Sequence, residues 1–149
     1  MALQLPSSVR AHIASEARRA YPRECCGLLE GVRDAAGVAV TAAHAARNLS
    51  ERPDRFEIDP ADQFRILRAA RARGTAIVGC YHSHPNGLST PSPHDRAAAA
   101  EEHFIWVIAA LDSARAAPSI DAFEFVSGAF RPLSIEASIA SAADTSASR

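Results

Sequence analysis

The chain predicts an α/β fold, a single mixed β-sheet flanked by helices. Two observations lead there. Apolar runs of strand length alternate with stretches of helical period in the order α-β-β-α-β-α-β-β-β, which calls for one sheet with helices packed on its faces. One of those runs, Phe104-Ile-Trp-Val-Ile-Ala-Ala-Leu111, is apolar at every position and so needs cover on both sides. With 149 residues, 48% hydrophobic and 22% charged, the chain has the size and composition of one ordinary globular domain with a real core.

The elements follow in order. Leu5, Val9, Ile13 and Ala17 recur every fourth residue after Pro6, with Ser7 and Ser8 as candidate caps, and predict a first helix ending near Tyr21-Pro22. Glu24 to Val32 is a compact apolar run broken by glycines, hence a strand; the turn Asp34-Ala-Ala-Gly37 leads to its antiparallel partner, Val38 to His44. Asn48 to Phe56 is polar, charged and contains Pro, hence loop. Asp59 caps a second helix with Pro60 at its first position; Phe64, Leu67 and Ile66 are its expected core side, and Gly74 closes it. Thr75-Ala-Ile-Val-Gly-Cys-Tyr81 is a buried strand, Pro93 to about Glu102 a third helix, and Phe104–Leu111 the doubly covered strand. Ile120–Val126 and Phe130–Leu133 are two further strands around the Ser127-Gly128 turn. After residue 134 Ser and Ala dominate, so the domain is expected to span residues 1–134 and the segment 135–149 to be a flexible tail.

Composition excludes several classes. A net charge of −1 with scattered arginines offers no footprint for nucleic acid or an anionic membrane. No apolar run has the length of a membrane span, and the start lacks the pattern of a secretion signal, so the expected location is the cytoplasm. Three cysteines make no disulfide framework, and no C-x-x-C is present. Cys80 shares a strand face with the histidines that follow; a buried thiol is the simpler reading than a fourth ligand. The oligomeric state stays open between monomer and homodimer.

The chemistry concentrates in His82-Ser-His84-Pro-Asn-Gly-Leu-Ser-Thr-Pro-Ser92-Pro-His-Asp95. If the strand before it continues, a repeat of two puts His82 and His84 on one face and turns Ser83 to the other. Ser92-Pro-His-Asp95 has the form of a capping box with Pro at the first helical position, which sets Asp95 in the first turn, able to fold back toward the strand end. Two imidazoles and a carboxylate leave one tetrahedral position free, the donor set of a catalytic zinc site with one Zn2+ per chain.

This stretch, H-x-H-x7-S-x-x-D, together with an upstream Glu, resembles the motif of the JAMM (MPN-plus) zinc metalloproteases. The phrase Tyr21-Pro-Arg-Glu24-Cys-Cys-Gly-Leu-Leu-Glu30-Gly31 resembles the upstream half of their short prokaryotic stand-alone members. The resemblance runs from about Ala11 to Leu133 and is densest at Glu24–Gly31, Asp59-Pro60 and His82–Asp95. It implies a JAMM/MPN-like sandwich, cytidine-deaminase-like in architecture, and hydrolysis beside the C-terminal tail of a ubiquitin-like or sulfur-carrier protein. It also makes Glu24 the catalytic acid/base, with Glu30, expected as a surface charge, its competitor in the same phrase. A donor is needed for the oxyanion, and the Ser92 hydroxyl is placed for it, in competition with its role as helix cap. Among similar proteins Asn48 and Phe56 fall in a loop bordering the cleft. His94 is expected to face solvent or support the site; His12, His44 and His103 have no metal-like neighbours.

Two other readings compete. A non-haem iron enzyme uses the same two-His-one-carboxylate set, but leaves Glu24 and Ser92 without work. A non-catalytic binding module of the same fold is expected to lack ligands or the Glu, and this chain keeps them. A zinc deaminase needs a P-C-x-x-C that does not follow.

Overall fold

The computed structural model describes residues 2–137. Its elements are β1 (Ala2–Gln4), α1 (Ser7–Ala20), β2 (Cys26–Asp34), β3 (Gly37–Ala46), α2 (Pro60–Ala72), β4 (Ala76–His84), α3 (Pro93–Ala98), β5 (Ile105–Ala110), β6 (Ser119–Val126) and β7 (Ala129–Glu136). The strands form one mixed sheet in the order β1-β3-β2-β4-β5-β6-β7. β4 and β5 run parallel, while β2–β3, β2–β4, β5–β6 and β6–β7 are antiparallel.

The single mixed sheet is the one expected, and it also closes on itself. β1 pairs in parallel with both β3 and β7 and closes it into a barrel. A three-residue strand carries no periodic signal, but Leu3 and the following Leu5 are fully buried, and this burial holds the closure. The closure also extends β7: Ser134, Ile135 and Glu136 pair with Ala2, Leu3 and Gln4, so residues 135 and 136 of the expected tail belong to the sheet. The rest of that tail, from 138, lies outside the described residues.

Two apolar clusters cover the two faces of the sheet. Val9, Ile13 and Ala17 of α1 pack with Leu29, Tyr81, Val107 and Ala109 on one face. Ile66 of α2 packs with Leu28, Cys80, Trp106 and Ile108 on the other. β5 is buried along its whole length, as its sequence requires. Tyr81 lies so close to β2 that a Cβ on Gly27 would come within 2.3 Å of its ring, which is why a glycine stands there.

Helix details differ from the expectation in three places. Ser7 and Ser8 are the first residues of α1 and do not cap it; Pro6 occupies that position without a side-chain bond. In α2 the cap is as expected, Asp59 accepting from Ala61 N–H, but Phe64 and Leu67 are exposed, and Ile66 and Ala70 are the core residues. The helix is anchored by a narrower stripe than its apolar content suggests. α3 stops at Ala98 because residues 99–104 must turn the chain into β5, parallel to β4.

Glu30 is not a surface charge. It is buried, takes two hydrogen bonds from Arg73 at 2.7 and 3.0 Å and a third from Thr75, and meets His44 Nε2 at 2.7 Å. The Arg73 bonds, opposed by burial and helped by Thr75 and His44, hold its carboxyl down at about 2. It ties the end of α2 to β2 and β3.

Candidate metal centre

β4 does run on through the histidines. His82 and His84 lie on the face of α2, and Ser83 points to the face of α1. α3 starts with the expected capping box: Ser92 Oγ accepts from Asp95 N–H at 3.1 Å, and Ser92 N–H donates to Asp95 Oδ2 at 2.8 Å. That box aims the Asp95 carboxylate at the strand. His82 Nε2 lies 3.0 Å from Asp95 Oδ1, His84 Nε2 lies 3.1 Å from Oδ2, and the two Nε2 atoms are 2.9 Å apart. His82, His84 and Asp95 are all buried.

Each ring is oriented by a different means. His84 Nδ1–H donates to the Leu88 carbonyl at 2.8 Å; a carbonyl can only accept, so Nδ1 carries a proton and Nε2 is the nitrogen turned to Asp95. His82 Nδ1 has no hydrogen-bond partner, and packing sets its ring instead. Phe56 stacks on it at 4.4 Å, and Trp106 meets it edge-on at 5.9 Å.

The donor atoms fit a cation. Ligands about 2.0–2.1 Å from a tetrahedral ion sit roughly 3.3 Å from one another, close to the spacings here. Two ring nitrogens and a carboxylate held this near each other, away from water, are the donors such an ion requires, once the ion displaces any proton on the nitrogens that face it. One Glu24 oxygen also lies within 4.8 Å of a ring nitrogen of His82 and of His84, so these three make a second possible grouping that shares the two histidines.

Burial disfavours charge on both histidines. It lowers the pKa of His82; at His84 the bonds to Asp95 and Leu88 and the nearby Glu24 outweigh it, and the value is raised. Burial opposes ionisation of Asp95 too, but hydrogen bonds from both histidines pull its pKa well below the ordinary range. Glu24 is the reverse case. It precedes β2, is 5% exposed, and its Oε1 has no hydrogen-bond partner. Burial pushes it up to about 8, against the pull of His84 and with the help of Asp95 and Asp54.

Glu24, His84 and Ser92 line one cleft of about 270 Å³, walled by Pro22, Pro53 and Pro85. The cap uses a lone pair of Ser92 Oγ, so its hydroxyl hydrogen is not consumed by it, and the two roles expected to compete use different parts of the group. The loop residues also border the site: Phe56 by its stacking, Asn48 by donating from Nδ2 to the Glu24 carbonyl at 3.0 Å. His94 is exposed. Cys80 is buried among Leu28 and Trp106, and the three cysteines are free. Sequence reasoning missed the cleft walls Pro22 and Pro53, which carry no chemistry of their own, and Ser83, whose bond to Cys25 joins residues 58 apart.

The chain is similar to known proteins over most of its length. The family model described as prokaryotic homologs of the JAB domain matches residues 6–126. A desampylase of Haloferax volcanii is 36% identical over 89% of this chain and 94% of its own length. A Thermus thermophilus protein named Probable TtuB-protein conjugate cleaving protease is 33% identical over 61% of this chain and 56% of its own length. The solution structure of a protein from Desulfitobacterium hafniense superposes with a TM-score of 0.81 at 27% identity, covering 91% of this chain and 92% of that one.

Proposed function

Because the chain belongs to the prokaryotic homologs of the JAB domain, we propose that it is a zinc-dependent peptidase or isopeptidase that hydrolyses the amide bond after the C-terminal Gly-Gly of a ubiquitin-like sulfur-carrier protein. The observation that carries the reading is the convergence of His82 Nε2, His84 Nε2 and the Asp95 carboxylate within 2.9–3.1 Å, in a site where the buried Glu24 oxygen has no partner. His82, His84 and Asp95 would hold one Zn2+ per chain. When bound, the ion supplies Lewis acidity, lowering the pKa of a water and polarising a carbonyl. Glu24 takes the proton of the attacking water and returns it to the leaving amine, as a C–O bond forms and the C–N bond breaks. The Ser92 hydroxyl donates to the carbonyl oxygen as it gains charge.

The substrate class rests on the resemblance and on what the relatives are named for, a desampylase and a protease for TtuB–protein conjugates. Among the described residues, β3 has a second strand neighbour only at Gly37–Ala39, so Val40–Ala46 offers an edge leading to Asn48 and the cleft. An extended tail adding there gains backbone hydrogen bonds, and a glycine before the cut lets the backbone pass the Pro85–Pro91 loop. The three thiols are unpaired, in keeping with a cytoplasmic protein.

A carrier ending in Gly-Gly and extended by cysteine or a short peptide is expected to be cut after the second glycine. Cleavage should be much slower when that glycine is Val, low on an unfolded casein-like protein, and absent with a zinc chelator. Equal rates on carrier and unfolded protein, or activity that survives chelation, would rule the function out.

A further inference from the structure

The peptide unit that joins Glu24 to Cys25 is held at both ends by side chains from separate parts of the chain. Its carbonyl accepts from Asn48 Nδ2 at 3.0 Å, and its N–H donates to Ser83 Oγ at 2.8 Å. Ser83 grips the same place a second time, its own N–H donating to the Cys25 carbonyl at 3.1 Å. The regular pairing of β2 with β4 begins one residue later, at Cys26 and His82. Glu24 therefore stands just outside the sheet, and these side-chain bonds do what the strand ladder does for its neighbours.

A peptide unit is planar, so fixing its oxygen and its hydrogen fixes the direction in which the Glu24 Cα and side chain leave it. Glu24 Oε1 makes no hydrogen bond that would orient it independently. Ser83 is fully buried between His82 and His84 and turned to the opposite face, so the three residues carrying two of the donor atoms also carry the peg for Glu24. We propose that Ser83 and Asn48 are positioning residues that set the Glu24 carboxylate relative to His82 and His84. The proposal rests on the role given to Glu24 above.

The test compares Ser83→Ala, Ser83→Thr and Asn48→Asp, each in the native and the Glu24→Gln background. Asn48→Asp removes the donor to Glu24, and with it a longer bond to the Arg55 carbonyl at 3.4 Å, but keeps the oxygen that accepts from Ser50 and Glu57 N–H at 2.9 Å each, which shapes the loop. A displacement of about 1 Å costs a reaction roughly 10²-fold, so Ser83→Ala should lower kcat on the carrier fusion by about 10–100-fold. KM and zinc content should be unchanged, Ser83→Thr should restore kcat, and the Cys25 amide should exchange with solvent faster in Ser83→Ala. Because Ser83 acts through Glu24, adding Ser83→Ala or Asn48→Asp to Glu24→Gln should lower the residual rate no further. Equal losses in both backgrounds, or an unchanged kcat with faster Cys25 exchange, would overturn the positioning role while leaving that of Glu24 intact. If Ser83→Ala does not fold, Asn48→Asp decides in the same two backgrounds. A Glu24→Gln enzyme with native kcat would instead overturn the function of Glu24, and this proposal with it.

Discussion

Replacing Glu24 with glutamine is expected to lower kcat by roughly 10²–10⁴-fold, the usual weight of a positioned acid/base, while zinc content stays at the native level. The amide has the shape of the acid but cannot exchange a proton with the water or the leaving amine. The variant should also fold at least as well as the native protein, which separates a catalytic loss from a structural one. Glu24 Oε1 has no hydrogen bond to lose. Its pKa, moved by burial from 4.5 up to about 8, has a further consequence for the metal-free protein. The unfolded chain gives up this proton first, so between about pH 4.5 and pH 8 rising pH costs the folded state stability. Glutamine removes that cost, so metal-free Glu24→Gln should gain melting temperature over the native protein across this range. A melting curve alongside the zinc content and kcat checks all three. Zinc content falling in step with the rate would make Glu24 a ligand.

Replacing His84 with alanine is expected to remove both zinc and hydrolysis. Losing a hydrogen bond behind a ligand already weakens metal binding by about 10–100-fold, and this change removes a ligand itself, leaving His82 and Asp95. The variant also frees the Leu88 carbonyl that His84 Nδ1 engages, so the Pro85–Pro91 loop loses its tie to β4. Zinc content by elemental analysis and turnover of the carrier fusion should fall together. Stoichiometric zinc with retained activity would show that His84 is no ligand.

Much of this site was legible because its signals are local. The strand repeat of two set His82 and His84 on one face, and a capping box four residues long aimed Asp95. The role of Glu24 was not legible from spacing, since it reaches the histidines only through the pairing of β2 with β4; the resemblance singled it out. What the sequence hid is non-local. Ser83 reads as a spacer until its partner, Cys25, is brought against it. β1 is too short to show a period, and its worth lies in joining β3 to β7, two strands far apart in the sequence. On α2, apolar content pointed to Phe64, Leu67 and Ile66, of which Ile66 is buried against the sheet, joined there by Ala70, while Phe64 and Leu67 are exposed. Glu30 was misjudged because its partners, Arg73 and Thr75, come from the far end of α2.

In the proposed function His82, His84 and Asp95 hold the metal and leave Glu24 free to move protons. Anomalous X-ray scattering at the zinc edge, from crystals of the purified protein, tests it most directly. One zinc per chain is expected, bonded by His82 Nε2, His84 Nε2 and an Asp95 oxygen, with Glu24 beyond bonding distance. An anomalous peak ligated by Glu24 with the two histidines and without Asp95, or no zinc in a crystal of active protein, would contradict it.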